Sequence, residues 1–149
     1  GGSFTGFGEA VILLLILAGG LGYMTLGSFA VLALRSRMSP SRARGTKVAF
    51  GLPDAVGAAP FVRAVIAFSF AAMLLGALAL WPLFAAAGLE TPLWQAVFHS
   101  VSAFCTAGFS LLATGMEPFR DNLAVNVVIS ILSILGALGF LVVVDLWQK

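Results

Sequence analysis

Charged residues are scarce in this sequence. Its 149 residues include 8 basic and 6 acidic side chains, or 9% of the chain, whereas about a quarter of an ordinary soluble domain is charged. So few charges cannot cover a soluble surface, and a hydrophobic content of 60% excludes disorder. The single cysteine excludes an internal disulfide framework, and a net charge of +2 is too small for nucleic-acid binding. The remaining class is an integral membrane protein.

The few charges divide the chain into four uncharged stretches. A helix needs about 20 apolar residues to cross a bilayer core of roughly 30 Å. Three stretches are long and apolar enough for this, namely 10–34, 64–89 and 122–144. We therefore predict three transmembrane helices.

The stretch over 91–116 is more polar. Thr91 and Pro92 are typical of a helix start, and the helical pattern continues to about Phe104. Thirteen residues span about 20 Å, which is too short to cross a bilayer. We predict a short helix that enters the membrane partway and returns as extended chain, a geometry tolerated only inside protein or beside water. A fourth, slightly polar span remains the alternative at this point.

Basic residues indicate the orientation of the chain. Six of the eight Lys and Arg residues lie between positions 35 and 63, and the positive-inside rule places such a loop in the cytoplasm. The first helix then runs inward, the second runs outward, and the last returns to the cytoplasm. The short helix of the third stretch enters from outside. Both ends of the sequence look like cuts, so we expect a piece of a longer chain.

Catalysis has little support in the sequence. His99 and Cys105 lie six residues apart on a helix, about 9 Å along its axis and in different directions. One histidine and one cysteine cannot complete a usual metal site. His99 and Ser102 can share a helix face, which we interpret as a satisfied polar contact in a packed bundle. We expect neither an enzyme nor a resident cofactor.

Cation conduction fits the third stretch better. Backbone carbonyls can replace the water around a dehydrated cation, provided that the chain is unwound so that they point at an axis. Gly108 suits such a segment because glycine adopts positive φ easily. The partly negative C-terminal end of the preceding helix also favours a cation. Ser100 and Ser102 could form hydrogen bonds behind the loop.

Three runs of sequence resemble the Trk/Ktr/HKT family of potassium transporters. FHSVSAFCTAGFSLL (98–112) is similar to the pore loop of the family, and EAVILLLILAGGLGYMTL (9–26) and ILGALGFLVVVDLW (134–147) are similar to its pore-lining helices. The family builds its pore from four helix–pore loop–helix repeats in one chain. The resemblance implies an all-α membrane protein with three transmembrane helices plus a re-entrant pore helix and filter loop, about a third of such a transporter.

The resemblance also implies boundaries along the chain. Residues 1–34 would hold the closing helix of one repeat, residues 35–60 a cytoplasmic basic loop, and residues 61–149 the next, complete repeat. That repeat would consist of a helix over 61–86, the pore helix and filter over 91–112, and a helix over 122–146.

Particular roles follow from the same resemblance. The transported ion, K⁺ or else Na⁺, would bind the filter carbonyls of Cys105, Thr106, Ala107 and Gly108. Supporting residues would be Phe109, which closes the loop, with Ser102 and His99. In the family a glycine at position 108 goes with potassium and a serine with sodium.

The family likeness further implies partners and a location. The partners would be the remaining repeats of the same pore, a second copy of the full subunit, and a cytosolic nucleotide-binding regulatory subunit. The location would be the plasma membrane. A non-conducting assembly or scaffold module remains the competing hypothesis, since a small apolar chain rich in glycine could simply pack against partners.

Glycines and one asparagine stand out within the predicted helices. We interpret five helical glycines as packing positions rather than hinges, because small residues in membrane helices mostly serve close contact. They are Gly19, Gly20, Gly22, Gly136 and Gly139. Asn126 is a functional candidate because polar groups inside membranes are rare.

Overall fold

The computed structural model describes residues 5–36 and 58–147. Within these ranges all regular structure is helical, and no strand occurs. The elements are α1 (Gly6–Ser36), α2 (Ala58–Ala86), α3 (Pro92–Phe104), a 3₁₀ turn (Glu117–Phe119) and α4 (Leu123–Trp147). Most of the predicted basic loop, from 37 to 57, lies outside the described residues, and so do the contacts of Gly139.

The three long helices coincide with the three apolar stretches. By length and composition, one segment within the described part of the chain, Val65–Ala86, could cross a bilayer by itself. Only 33% of its most apolar window is buried within the chain, unlike the core helix of a soluble protein. Shorter apolar segments occur in α1, over Gly6–Gly20, and in α4, over Leu123–Leu138.

The outer face of α2 carries large apolar side chains that nothing in the described chain covers. Phe70, Leu74, Leu75 and Leu78 are each more than half exposed. Contiguous apolar surface of this kind marks contact with lipid or with further protein. The exposed face therefore agrees with the membrane class that the composition indicates.

The short helix α3 lies at the centre of the structure. It packs against α2 and α4 and also contacts α1. Every residue from Phe98 to Phe104 is buried, although His99, Ser100 and Ser102 are polar. A helix segment that is buried on all sides normally pairs its polar groups internally. The partners of those groups define the candidate site described below.

Two apolar clusters hold α3 in place. One surrounds its C-terminal half and consists of Ile16, Ala72, Met73, Phe98, Val101, Phe104 and Leu111. The other surrounds its N-terminal half and consists of Leu80, Phe84, Ala96, Phe119 and Val125. Because both clusters join residues distant in sequence, the position of α3 depends on packing by all the long helices.

Two asparagines shape the start of α4. The Asn122 side-chain oxygen accepts the N–H of Val125 at 3.2 Å, as an N-cap residue does. The Asn126 amide donates to the carbonyls of Phe119 and Arg120 at 3.1 and 2.9 Å. Asn126, a functional candidate from its sequence position, thus ties α4 to the 3₁₀ turn before it.

Candidate functional site

The chain reverses direction at the end of α3. The Thr106 N–H donates to the Ala103 carbonyl at 3.0 Å, and the Ala107 N–H donates to the Ser102 carbonyl at 2.9 Å. This pair of hydrogen bonds is a Schellman motif, which ends a helix with one residue in the left-handed region. Here that residue is Thr106, with φ of 52°.

A threonine is an uncommon choice for this conformation. The left-handed region costs an L-residue about 1–2 kcal/mol, and glycine usually takes the position. Gly108, two residues later, also has positive φ, at 71°. Backbone held in sparsely populated conformations concentrates at functional sites. The observation thus points to residues 105–108 as more than a simple connection.

The segment after the reversal runs back along α3. The Ser102 hydroxyl donates to the Phe109 carbonyl at 2.7 Å, and His99 Nε2 pairs with the Ser110 hydroxyl at 2.8 Å. The residue numbers of the partners on α3 decrease as those on the return segment increase, so the return segment runs antiparallel to α3. Leu112 then packs against the cluster at the N-terminal half of α3. The return segment therefore ends near the N-terminal end of α3, where that helix begins.

His99 links the return segment to α3 through a series of hydrogen bonds. Its Nδ1 lies 2.7 Å from the Gln95 carbonyl, which can only accept, so Nδ1 carries a hydrogen. In the neutral ring Nε2 then accepts from the Ser110 hydroxyl, whose oxygen in turn accepts the Leu112 N–H at 3.1 Å. His99 is 3% exposed. The expected polar contact of His99 exists, but its partner is Ser110 and not Ser102.

The carbonyls of the reversal fall into two groups. Those of Cys105 and Phe109 accept hydroxyl hydrogen bonds, the first from Thr106 at 2.8 Å and the second from α3. Within the described part of the chain, no hydrogen bond reaches the carbonyls of Thr106, Ala107 and Gly108. Three successive neutral oxygens are therefore available to another ligand.

Space is available on one side of these residues. A cavity of about 490 Å³ lies beside the reversal and reaches α4. A β-carbon added at Gly108 would have nothing within 4 Å of it. Gly108 is therefore required for its backbone conformation and not for close packing. The cavity lining comprises His99, Ser102, Ala103, Thr106, Gly108, Phe109, Ser110, Gly115, Met116, Ile129 and Ser133.

The reversal lies about halfway along the long helices. Cys105 packs against Gly20, which is 14 residues after Gly6 at the start of α1, and Phe104 packs against Gly136, 13 residues after Leu123. Both distances are about 20 Å of helix. Because α3 is itself 13 residues long, its N-terminal end lies level with the start of α1 and α4. Its C-terminal end lies level with their middle.

The opposite end of α3 is fixed to α1. The Trp94 indole N–H donates to a carboxylate oxygen of Glu9 at 2.8 Å, which places the first turns of the two helices side by side. The structure starts α3 at Pro92 with Thr91 in the N-cap position, as the sequence predicts. The Thr91 side chain forms no capping hydrogen bond, so the start rests on proline geometry and on this tertiary contact.

Sequence reasoning missed two contributors to this site. Ser110 counted only as one polar residue of the third stretch, although it links His99 to the return segment. Gly76 in α2 received no role, although it faces Ser100 of α3. The only sequence signal for Ser110 is a hydroxyl shortly after the glycine of a loop, and Gly76 gives none.

Sequence comparison identifies the family to which this helical chain with its half-length hairpin belongs. A family model described as "TrkH: Cation transport protein" matches residues 55–149. The chain belongs to this family, which confirms the Trk/Ktr resemblance and supports a membrane location.

Individual relatives agree with the family assignment. The chain is 35% identical to the Ktr system potassium uptake protein B of Bacillus subtilis (strain 168), over 100% of this chain and 34% of the relative. It is 32% identical to the Ktr system potassium uptake protein B of Vibrio alginolyticus, over 99% and 33%. It is also 32% identical to the potassium/sodium uptake protein NtpJ of Enterococcus hirae, over 91% and 30%. The chain thus spans about a third of the length of these relatives.

Proposed function

We propose that this chain is part of a potassium transporter or channel subunit that moves K⁺ across the plasma membrane. The names of the relatives describe them as potassium or potassium/sodium uptake proteins, which supports cation transport over a non-conducting scaffold. The proposed path is a filter built from the backbone carbonyls of Cys105, Thr106, Ala107 and Gly108. No catalytic step and no resident cofactor are part of this proposal.

The observation that carries the proposal is the set of three unpaired carbonyls at the reversal. Thr106 and Gly108 are exposed and Ala107 is half-buried, so water or a cation can reach these oxygens. A potassium filter uses this chemistry, because uncharged oxygens replace the hydration shell of the ion. The C-terminal end of α3 points its partial negative charge toward the same place. Both features favour a cation over an anion.

The hairpin supports a re-entrant position in the membrane. If α1, α2 and α4 cross the bilayer, α3 enters beside them and ends near their middle. The return segment then leads the chain back to the outer side. Residues 61–149 would form one complete helix–pore loop–helix repeat, and residues 1–34 would close the preceding repeat. The loop over 35–63 would lie in the cytoplasm.

The proposed assembly extends beyond this chain. One hairpin supplies carbonyls on one side of an ion only, so the remaining repeats of the same pore must supply the others. The relatives are named as parts of a Ktr system, which supports further components. By family likeness these would be a second full subunit and a cytosolic nucleotide-binding regulator.

A serine at position 108 tests the filter. We expect Gly108→Ser in the complete protein to lower the preference for K⁺ over Na⁺, because a side chain at positive φ shifts the carbonyls beside it. The measurement is competitive uptake of K⁺ and Na⁺ by cells or vesicles that contain the variant. The matched control is Gly88→Ser, since Gly88 also has positive φ, at 74°, and open space around it.

The control separates ion preference from general strain. Both substitutions place a serine in the left-handed region, so both lower stability by a similar amount, about 1 kcal/mol. Gly88 lies in the turn between α2 and α3, away from the filter. If Gly108→Ser kept the wild-type preference and flux, or Gly88→Ser altered the preference equally, the filter assignment would be wrong.

A further inference from the structure

Three glycines on three different helices contact the C-terminal half of α3 or the residue that follows it. Gly20 of α1 faces Cys105, Gly76 of α2 faces Ser100, and Gly136 of α4 faces Phe104. We infer that Gly20, Gly76 and Gly136 are positioning residues that set the depth of α3 and thereby the ion preference of the filter. This inference rests on the proposed function and adds determinants of selectivity that lie outside the filter loop.

Gly136 makes the most demanding contact. A β-carbon added there would overlap the carbonyl oxygen of Phe104 and lie 2.8 Å from its carbonyl carbon. Both atoms belong to the backbone, so no side-chain rotation can relieve the overlap. Phe104 is the last residue of α3 and directly precedes the proposed filter. Any side chain at position 136 must therefore displace the end of α3.

Gly20 faces the first residue of the proposed filter. A β-carbon added there would lie 2.5 Å from Cys105 Sγ and 2.8 Å from Cys105 Cβ. Real β-carbons essentially never approach other atoms so closely. The thiol can rotate away, but the Cβ moves only with the backbone. An alanine at position 20 thus displaces Cys105, although less directly than a change at position 136.

Gly76 faces more adaptable atoms. An added β-carbon would lie 2.6 Å from the Ser100 hydroxyl and 2.6 Å from a terminal methyl carbon of Leu132. The leucine tip can move, whereas the Ser100 hydroxyl donates to the Met73 carbonyl at 2.6 Å and is fixed. The expected order of effect is therefore Gly136, then Gly20, then Gly76.

The adjacent Gly19 provides a matched control. A β-carbon at Gly19 would meet nothing within 4 Å among the described residues, yet Gly19→Ala removes backbone freedom from α1 just as Gly20→Ala does. If these glycines acted as hinges, both substitutions would have similar effects. If they act by fit against α3, only Gly20→Ala alters the filter.

The test uses the complete protein with alanine at positions 19, 20, 76 and 136, one at a time. K⁺ affinity and Na⁺ affinity are measured by titration of the purified variants, beside their thermal midpoints. We expect Gly136→Ala to change the ratio of the two affinities about tenfold, since a core overfilled by one methyl group shifts backbone. We expect Gly20→Ala to have a smaller effect and Gly19→Ala to keep the wild-type ratio. A wild-type ratio in Gly136→Ala would overturn the inference, whatever its thermal midpoint.

A second pair of variants covers the case in which Gly136→Ala does not fold. Cys105→Gly removes both the sulfur and the β-carbon, which lie 2.5 and 2.8 Å from the added carbon. In the Gly20→Ala background it should restore part of the lost ion preference, an effect that a general loss of stability cannot produce. An unaltered ratio in Gly20→Ala alone would refute the inference. Failure of the proposed function is distinguishable, because Gly108→Ser would then also leave the preference unchanged.

Discussion

Removal of the Ser102 hydroxyl is the sharpest test of how α3 holds the return segment. Two side-chain hydrogen bonds link them, from Ser102 to the Phe109 carbonyl at 2.7 Å and between His99 and Ser110 at 2.8 Å. Ser102→Ala deletes the first and leaves the second. Phe109 directly follows Gly108, so the lost hydrogen bond lies one residue from the proposed filter carbonyls.

The size of the effect follows from the surroundings of the two groups. A neutral hydrogen bond stabilises a folded protein by about 1 kcal/mol, and an acceptor left buried and unpaired costs more, about 1–3 kcal/mol. Phe109 is 57% exposed, so water can reach its carbonyl and the smaller figure applies. A change of about 1 kcal/mol corresponds to a factor of about five in an equilibrium constant. We expect a modest loss of stability and a loss of K⁺ affinity of that order.

The assay compares Ser102→Ala with Ser69→Ala in the complete protein. Ser69 is also buried, at 1% exposed against 2% for Ser102, and its hydroxyl also donates to a carbonyl, that of Val65 in the same helix at 2.9 Å. Both variants lose the same atom. Only Ser102→Ala should weaken K⁺ binding relative to Na⁺ binding, as measured by titration of the purified proteins. Equal ion affinities in the two variants would refute the reasoning.

Two further predictions concern topology and the start of α4. Cysteines placed singly at the exposed Arg63 and Thr114 should react with impermeant label from opposite sides of the membrane, because only α2 would cross between them. Arg63→Cys should react from the cytoplasm. Labelling of both from one side would mean that the third stretch spans the membrane. Asn126→Asp should lower stability by about 2 kcal/mol, since it removes donors from the carbonyls of residues 119 and 120. Asn122→Asp should have little effect on the thermal midpoint because it keeps the capping oxygen, and equal losses would contradict this account.

The sequence predicts the helices well because their causes are local. Long uncharged runs have no other stable arrangement in a membrane protein, and the long helices follow them. The short helix begins at Pro92 and ends at Phe104 as the sequence predicts. Pro92 favours the first helical position, and the end of the helix coincides with the change to small residues before Gly108. Composition and local propensity are sufficient for these assignments.

The sequence does not predict the contacts that depend on how the helices meet. Gly20 and Gly136 were expected to pack, and both do, but Gly19 next to Gly20 faces open space among the described residues. Helical periodicity cannot tell which of two adjacent glycines faces α3. Gly76 was missed for the same reason, because its contact with Ser100 depends on the relative height of two helices.

Thr106 shows a conflict between local preference and tertiary structure. The sequence pointed to Gly108 as a residue of positive φ and gave no sign of a second one at Thr106, since β-branched residues rarely adopt this conformation. The structure nevertheless holds Thr106 at φ of 52°. The Schellman hydrogen bonds and the close packing of Phe104 and Cys105 together determine where the chain can turn. Local sequence therefore underestimates the constraint at this turn.

The polar groups around the reversal pair some of its backbone groups and leave others unpaired. Hydroxyl and imidazole groups of α3 and the return segment satisfy the backbone behind the turn, and the Thr106 hydroxyl satisfies the carbonyl of Cys105. The carbonyls of Thr106, Ala107 and Gly108 remain without an intramolecular partner in the described chain. An unpaired carbonyl removed from water costs about 1–3 kcal/mol. Where the other repeats of the proposed pore exclude water from these carbonyls, a K⁺ that replaces the missing partners would be stabilised without any charged side chain. Ion preference would then depend on how rigidly α3 is held, which is why changes at Ser102 or Gly136 should alter selectivity although neither residue supplies a filter oxygen.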